Sequence, residues 1–325
     1  MGEKCWTIVY RGAGLRKLDR LMFPFSFGPF LGFWAAFEAG CSLGNLCLPA
    51  GGMTTSARLG YLFENEITVV CCTPTYALHV AETANSHGIP LAKSTVRLLI
   101  VAGEPGGNIP TVRGQIEKVW GARVIDHSGM TEIGPWGFEC EENPGGLHII
   151  ESEFIAEVID PATGATLPDG EQGELVLTNL GRLGSPLIRY RTGDIVQLRR
   201  ERCACGRHFA WAEGGIIGRI DDMLIIKGNN VFPSVIEAIV REFQEISEFQ
   251  LRVFNQNGLN ELQVDIEPGP EAEENLKSRL ADRVASRIRD VLHFRPEVTV
   301  VNAGTLPRFD MKARRVARDQ PPPAH

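Results

Sequence analysis

Basic charge is scarce in this sequence. Its 325 residues carry 33 Lys and Arg against 40 Asp and Glu, a formal charge of −7, the opposite of the balance that holds a protein to nucleic acid by general electrostatics. Nucleic acid is therefore not an expected partner. A disulfide framework is missing too: the cysteines at 5, 41, 47, 71, 72, 140, 203 and 205 are scattered along a long chain rather than crowded into a short secreted one. That usage points to a reducing cytoplasmic setting. No apolar leader segment stands at the start, where Glu3, Lys4, Arg11, Arg16, Lys17, Asp19 and Arg20 follow one another closely. Nor is a membrane partner expected. Leu21 to Phe37 lacks charge, but Pro24, Gly28, Pro29 and Gly32 interrupt it, and a span needs about 20 mostly apolar residues. No internal repeat is visible.

What is present reads as a globular α/β protein, 43% hydrophobic and 22% charged, long enough for one large domain and a small one. Three segments read as buried strands. Thr68–Cys72 runs into Thr73-Pro74-Thr75-Tyr76, Val96–Val101 into Ala102-Gly103-Glu104-Pro105-Gly106-Gly107, and Ala122–Asp126 into His127-Ser128-Gly129-Met130-Thr131-Glu132. Helices are predicted between them, to about Ala84 and over Pro110–Val119. Such alternation predicts a parallel sheet whose ligands sit beyond the carboxyl ends of the strands, where these loops are. From His148 to Leu198, short alternating strands around Gly-containing turns predict a small antiparallel β subdomain.

The composition changes at Gly218–Glu237. Asp221-Asp222 stands behind Arg219 and before an apolar strand (Met223–Ile226), a break follows at Lys227-Gly228-Asn229-Asn230, and a helix starts after Pro233-Ser234. On pattern alone this is a connector between two α/β units. The charged pair also suits a hinge, where a few residues absorb the backbone rotation. Beyond it, strands at Phe249–Val253, Glu261–Ile266 and Val298–Val301 and an amphipathic helix over Glu271–Val291 predict a small α/β domain. Earlier, Phe30, Phe33, Trp34 and Phe37 match one helical face. Core packing is the plain reading of these rings, although with Phe25 and Phe27 they could line an acyl pocket.

Several short segments carry chemistry. Ser128-Gly129-Met130-Thr131-Glu132 sets a hydroxyl and a carboxylate after a glycine that lets backbone approach a ligand, suited to phosphate oxygen and magnesium; Thr-Glu after glycine is equally a helix start. Tyr190-Arg191-Thr192-Gly193-Asp194 holds an aspartate on a tight turn, as capture of ribose hydroxyls needs. Leu306-Pro307-Arg308-Phe309-Asp310-Met311-Lys312 ends on a lysine that would otherwise be a solvated basic face with Arg314 and Arg315. Taken in order with Gly218-Arg219-Ile220-Asp221-Asp222, these segments resemble those of the adenylate-forming enzymes, the acyl-CoA synthetase superfamily. Asn230-Val231-Phe232-Pro233 looks most like the phenylacetate-CoA ligase branch.

The resemblance implies a truncated adenylating domain over 1–217, a hinge over 218–222 and a C-terminal lid over 223–325. It implies that Gly103, Glu104 and Pro105 form the adenine-side loop, joined by Ser128, Gly129 and Met130, with Thr131 contacting phosphate and Glu132 holding Mg2+. Asp194 would clamp the ribose, Arg219 would sit near phosphate or ribose, Asp221 would be the hinge, and Lys312 would serve adenylation. The implied reaction joins a carboxylic acid, aryl or arylacetic, to ATP as an acyl-adenylate with loss of pyrophosphate, and CoA then displaces AMP. A non-catalytic remnant that binds nucleotide or acyl-adenylate, and an enzyme passing the acyl group to a carrier protein, are the alternative readings; a homodimer is the assembly left open. Family members carry a Ser/Thr/Gly-rich phosphate loop ahead of the region matching residues 1–30. No such stretch occurs here, so an incomplete large domain with a weakened hold on the β- and γ-phosphates is expected. Ser128 stands where the family has an aromatic ring, and Met311 where it has glycine.

A metal site is also expected. Cys203-Ala204-Cys205-Gly206 forms a short knuckle, while Cys140 and His148 bracket a glycine turn, as in some phenylacetate-CoA ligase-like proteins. Three thiolates and an imidazole make a closed, structural Zn2+ site. His127 and His208 are substitutes for His148.

Overall fold

The computed structural model describes residues 2–28, 31–227, 229–256, 259–269, 274–309 and 312–318. Its contacts divide into two units, Met1–Ile220 with Asp310–Lys312, and Asp221–Phe309 with Ala313–His325.

The first unit runs α1 (Gly2–Gly12), β1 (Arg20–Phe23), α2 (Leu31–Ser42), β2 (Leu46–Pro49), α3 (Thr55–Glu64), β3 (Val69–Cys72), α4 (Pro74–Ser86), β4 (Leu98–Ala102), α5 (Pro110–Trp120) and β5 (Arg123–Met130). Strands β2, β1, β3, β4 and β5 lie side by side in that order and are parallel. The apolar runs of β1, β3 and β4 are continuous because both of their faces are covered. Leu21, Phe23, Val69, Cys71, Leu98 and Ile100 share one core cluster with Trp6, Val9 and Tyr10 of α1 and Ala36 and Ala39 of α2. The alternate residues Met22, Val70 and Cys72 point the other way, lining a small cavity with Leu59 and Leu62 of α3, Tyr76 of α4 and Trp120 of α5, as a period of two requires. Local chemistry starts and stops the helices. Thr73 caps α4 by accepting the Tyr76 amide, and Pro74 occupies its first turn. Gly121 ends α5 in the left-handed region at φ +61°, which glycine adopts without steric cost.

The unit continues as β6 (Gly134–Phe138), β7 (Leu147–Ile149), β8 (Phe154–Ile159), β9 (Gln172–Asn179), β10 (Tyr190–Arg199), β11 (Trp211–Ala212) and β12 (Gly218–Arg219). These strands are antiparallel and join the parallel ones through β5 and β6, in the order β5-β6-β7-β11-β10-β9-β8 with β12 on β10. One expectation needs correcting here, and one element was not foreseen. The loop expected from His127 begins later, because β5 continues to Met130 and pairs with β6; Ser128, Gly129 and Met130 are strand residues. Helix α1 was not expected, although its buried Cys5, Trp6, Val9 and Tyr10 follow a helical stripe. The plain reading of the aromatic stretch holds: Phe23, Phe25, Phe27 and Phe37 pack on one another with centroids 5.3–6.3 Å apart, against the core cluster. Phe30 and the side chain of Phe33 lie outside the described residues.

The second unit holds β13 (Leu224–Ile226), β14 (Asn229–Val231), α6 (Pro233–Val240), β15 (Ile246–Gln256), β16 (Leu259–Pro268), α7 (Glu274–Leu292), β17 (Glu297–Val300) and β18 (Val316–Arg318). Its four-stranded sheet has the order β17-β16-β15-β18, and Leu280, Val284 and Ile288 of α7 pack with Phe249, Leu251, Val264 and Ile266 of the sheet. The break expected over Lys227–Asn230 is narrower, since Asn229 and Asn230 pair with Ile226 and Ile225 in a hairpin. Gly228, Asp310, Met311 and residues 271–273 lie outside the described residues.

Candidate functional site

The loop after β4 is tied down on every side. Gly103 and Gly106 take φ of +97° and +147°, and a Cβ on Gly106 would come within 2.5 Å of Pro74; glycine is needed at both. Glu104 turns its carboxylate to the first turn of α4 and accepts the Thr75 amide at 2.8 Å. Asn108 donates to the carbonyls of Gly214 and Ile216 at 2.8 and 2.9 Å, joining this loop to the segment that leads into β12.

Arg113 of α5 completes the anchorage. Its Nε donates to Gly107 O at 2.7 Å, its Nη1 to Val124 O at 2.8 Å, and its guanidinium forms a bidentate pair with Glu139. Asp126 lies in the same cluster, where its amide donates to Glu139 Oε2 at 2.9 Å and a Cβ on Gly107 would sit 2.5 Å from its Oδ1. Two buried carboxyls thus share one guanidinium. Burial, and next the Glu139 charge, push the Asp126 carboxyl up to about 8 against the opposing pull of Arg113. The neighbouring His127 is driven down to about 4 by burial, with its Nδ1 2.7 Å from Gly137 O, so its imidazole is neutral.

The β5–β6 hairpin turns at Thr131–Ile133, and Thr131 and Glu132 are exposed there. Arg182 donates to the carbonyl of Glu132. Gly129 sits at a register shift against β6, with Pro135 Cα 2.9 Å from where its Cβ would be. On β10, Asp194 is 3% exposed. It stands opposite Arg219 of β12, with Oδ1 2.9 Å from Arg219 Nη1, and Thr192 Oγ1 accepts its amide at 3.0 Å. Tyr190 opens β10, four residues before Asp194. Desolvation raises its phenol, the Glu132 and Asp194 charges add to this, and Arg219 opposes it. The charges of Glu132, Asp194 and Arg219 therefore all act on one tyrosine that spacing arguments did not single out. Lys312 is counted with the first unit, where its Cε is 3.1 Å from the position of a Cβ on Gly103. Asp221 opens the second unit as an exposed turn residue directly after Ile220.

A second cluster lies elsewhere in the first unit. The donor atoms of Cys140, His148, Cys203 and Cys205 all fall within 4.8 Å of one another. Cys140 Sγ is 3.8 Å from Cys203 Sγ, and Cys205 Sγ is 3.5 Å from His148 Nε2. A tetrahedron with metal–sulfur arms of about 2.3 Å has edges of about 3.8 Å, which these two separations approach within a group spanning no more than 4.8 Å. His148 is fully buried, and burial lowers its pKa, leaving the neutral imidazole that a metal needs. His127 and His208 are not in this group.

Two family models match the chain. That of the AMP-binding enzymes covers residues 4–181, and that of the AMP-binding enzyme C-terminal domain covers residues 228–320. Among curated proteins, the chain is 32% identical to a phenylacetate-coenzyme A ligase of Thermus thermophilus, spanning 94% of this chain and 72% of that protein. It is 31% identical to the phenylacetate-coenzyme A ligase of Escherichia coli K12, spanning 94% and 70%. Among solved structures, a 2-hydroxyisobutyryl-CoA ligase in complex with 2-HIB-AMP superposes with a TM-score of 0.92 at 29% identity, covering 98% of this chain and 69% of that one.

Proposed function

Because the chain belongs to the AMP-binding enzyme family, and its matched relatives are acid–CoA ligases, we propose that it activates a carboxylic acid with ATP and transfers the acyl group to CoA. An aryl or arylacetic acid is the substrate class that the phenylacetate-coenzyme A ligases favour. The observation that carries this reading is that Lys312 lies against Gly103 in the loop after parallel strand β4, a strand end at which parallel-sheet proteins bind ligands, while buried Asp194 is paired with Arg219.

In this reading Asp194, held rigid by Arg219 and by the Thr192 cap, accepts the two ribose hydroxyls. Gly103, Glu104 and Pro105, with Ser128, Gly129 and Met130, flank the adenine, and the glycines keep backbone close to the ring. Thr131 donates to phosphate and Glu132 is the ligand for Mg2+, which when bound neutralises phosphate charge. Arg219 and Lys312 add positive charge, Lys312 at the acid carboxylate and the α-phosphate, where charge builds as the acyl-adenylate forms. Asp221 is the hinge between the domains.

Cys140, His148, Cys203 and Cys205 would hold a structural Zn2+, closing the β6–β7 connection onto the β10–β11 connection with no ligand position left for water. About one zinc per chain by elemental analysis, lowered in Cys203→Ser together with thermal stability, supports this; metal-free purified protein contradicts it. The function itself is tested by incubating the chain with Mg2+, ATP, CoA and either phenylacetate or 2-hydroxyisobutyrate. AMP and a thioester in equal amounts are the expected products. ATP that binds without turning over would favour a non-catalytic remnant, and transfer only to a phosphopantetheinylated carrier would favour a carrier-dependent enzyme.

A further inference from the structure

Lys312 ends a segment whose two flanks are held by buried carboxylates of the second unit. Glu267, on β16, is 1% exposed. Its Oε1 accepts the Gly304 amide at 2.9 Å and Arg308 Nη2 at 2.6 Å, and its Oε2 accepts the Leu306 amide at 2.9 Å and Arg308 Nη1 at 3.3 Å. Arg308 Nη1 also donates to Leu306 O at 3.1 Å. Apart from a long contact from Ser247 Oγ at 3.4 Å, these donors come from the loop after β17. A buried carboxylate is costly unless hydrogen-bonded and paired. Here nearly all of the compensation comes from one loop, whose shape it therefore sets.

On the other flank, Arg315 is 8% exposed. Its Nε and Nη2 reach Glu248 Oε1 and Oε2 at 2.7 and 3.1 Å, and its Nη1 reaches Glu237 at 3.2 Å. The guanidinium also lies over the Phe249 ring, 5.0 Å from its centroid, and the Arg315 carbonyl accepts the Leu251 amide at 2.7 Å. This corrects the expectation that Arg315 belongs to a solvated basic face: Arg314 is exposed, but Arg315 is not. Both carboxyls respond alike. Burial pushes each up, but the hydrogen bonds and charge of Arg308 and the loop amides outweigh it at Glu267, and those of Arg315 and Arg241 outweigh it at Glu248, so both are held below the usual range.

We propose that Glu267 and Glu248 are positioning residues for Lys312: the pairs Glu267–Arg308 and Glu248–Arg315 clasp both ends of the strap that carries it. The proposal rests on the reading of Lys312 as the adenylation lysine. Lys312 stands three residues before Arg315, so that anchor alone confines its Cα to about 10 Å, and the anchor at Arg308 confines it from the other side to about 14 Å. The two limits together narrow the volume that a long, rotamer-rich side chain would otherwise sample. A lysine needed in only one of two half-reactions gains most from such confinement in that half.

The test compares the full chain with Glu267→Gln, and with Arg308→Lys in case the first variant folds poorly. Amide hydrogen exchange at Gly304 and Leu306 should accelerate about tenfold or more in the variants while the β15 and β16 amides keep their protection. Acid-dependent ATP–pyrophosphate exchange, assayed with phenylacetate and with 2-hydroxyisobutyrate, should lose about tenfold or more in kcat with KM for ATP within about twofold. Thioester formation from supplied acyl-adenylate and CoA should stay within about twofold of wild type. Unchanged exchange at Gly304 and Leu306 would overturn the clasp. Equal loss in both half-reactions, or loss tracking the unfolded fraction, would overturn the positioning role. A wild type inactive with both acids would instead count against the reading of Lys312, and amide exchange would still decide the clasp.

Discussion

Two buried clusters, one in each unit, hold charge in opposite ways. Beneath the loop after β4, Asp126 and Glu139 share the single guanidinium of Arg113, so one carboxyl is left without a cation and Asp126 is raised to about 8. In the second unit Glu267 is paired with Arg308, and Glu248 with Arg315 and Arg241, and both are lowered. The difference shows that burial alone does not decide the direction of a shift; the ratio of cations and amide donors to carboxyls does. It also gives the two clusters opposite responses to pH. A carboxyl raised in the folded state binds more protons there than in the unfolded chain, so the stability it contributes is lost as pH rises from about 4 toward 8. A carboxyl that is lowered contributes stability above its unfolded pKa of about 4.3, lost as pH falls through its folded value.

The largest way to break the comparison is Arg113→Met. It leaves two buried carboxyls with no cation and frees Gly107 O and Val124 O, and a loss of about 3–5 kcal/mol is expected in denaturant unfolding of the first unit. A loss below about 1 kcal/mol would mean that the cluster is not buried as a unit. A smaller and sharper effect is expected of Asp126→Asn, which removes the surplus acid while keeping its shape. Wild-type stability should decline between pH 5 and 8 and the variant's should decline less, the difference in decline being on the order of 3 kcal/mol by pH 8. A variant that loses stability in parallel with wild type would place the titration elsewhere.

Much of this architecture is legible in the chain. Val-Val-Cys-Cys and Leu-Leu-Ile-Val-Ala, buried on both faces as β3 and β4, announce a covered parallel sheet by composition alone. What was not legible depends on distant partners. Ser128 to Met130 become strand because Gly134–Phe138 pairs with them, and a partner sequence of Gly-Pro-Trp-Gly-Phe carries little strand signal of its own. Asn229 and Asn230 read as a break, yet close a hairpin. Arg315 reads as solvated because Glu248, its partner, lies 67 positions away. In the candidate site, Glu132, Asp194 and Arg219 could be chosen by motif, whereas Arg113, Asp126 and Glu139, which anchor the neighbouring loop, could not. Buried ion clusters have no local spacing rule. The four zinc-type donors were readable from type and spacing because two of them flank a short turn and two form a knuckle.

The most direct measurement is the coupled appearance of AMP and acyl-CoA from Mg2+, ATP, CoA and phenylacetate, run on wild type and Lys312→Ala side by side. The account predicts stoichiometric AMP and thioester with wild type, and a loss of about a hundredfold or more in kcat with the variant. Thioester formation that persists undiminished in Lys312→Ala would contradict it.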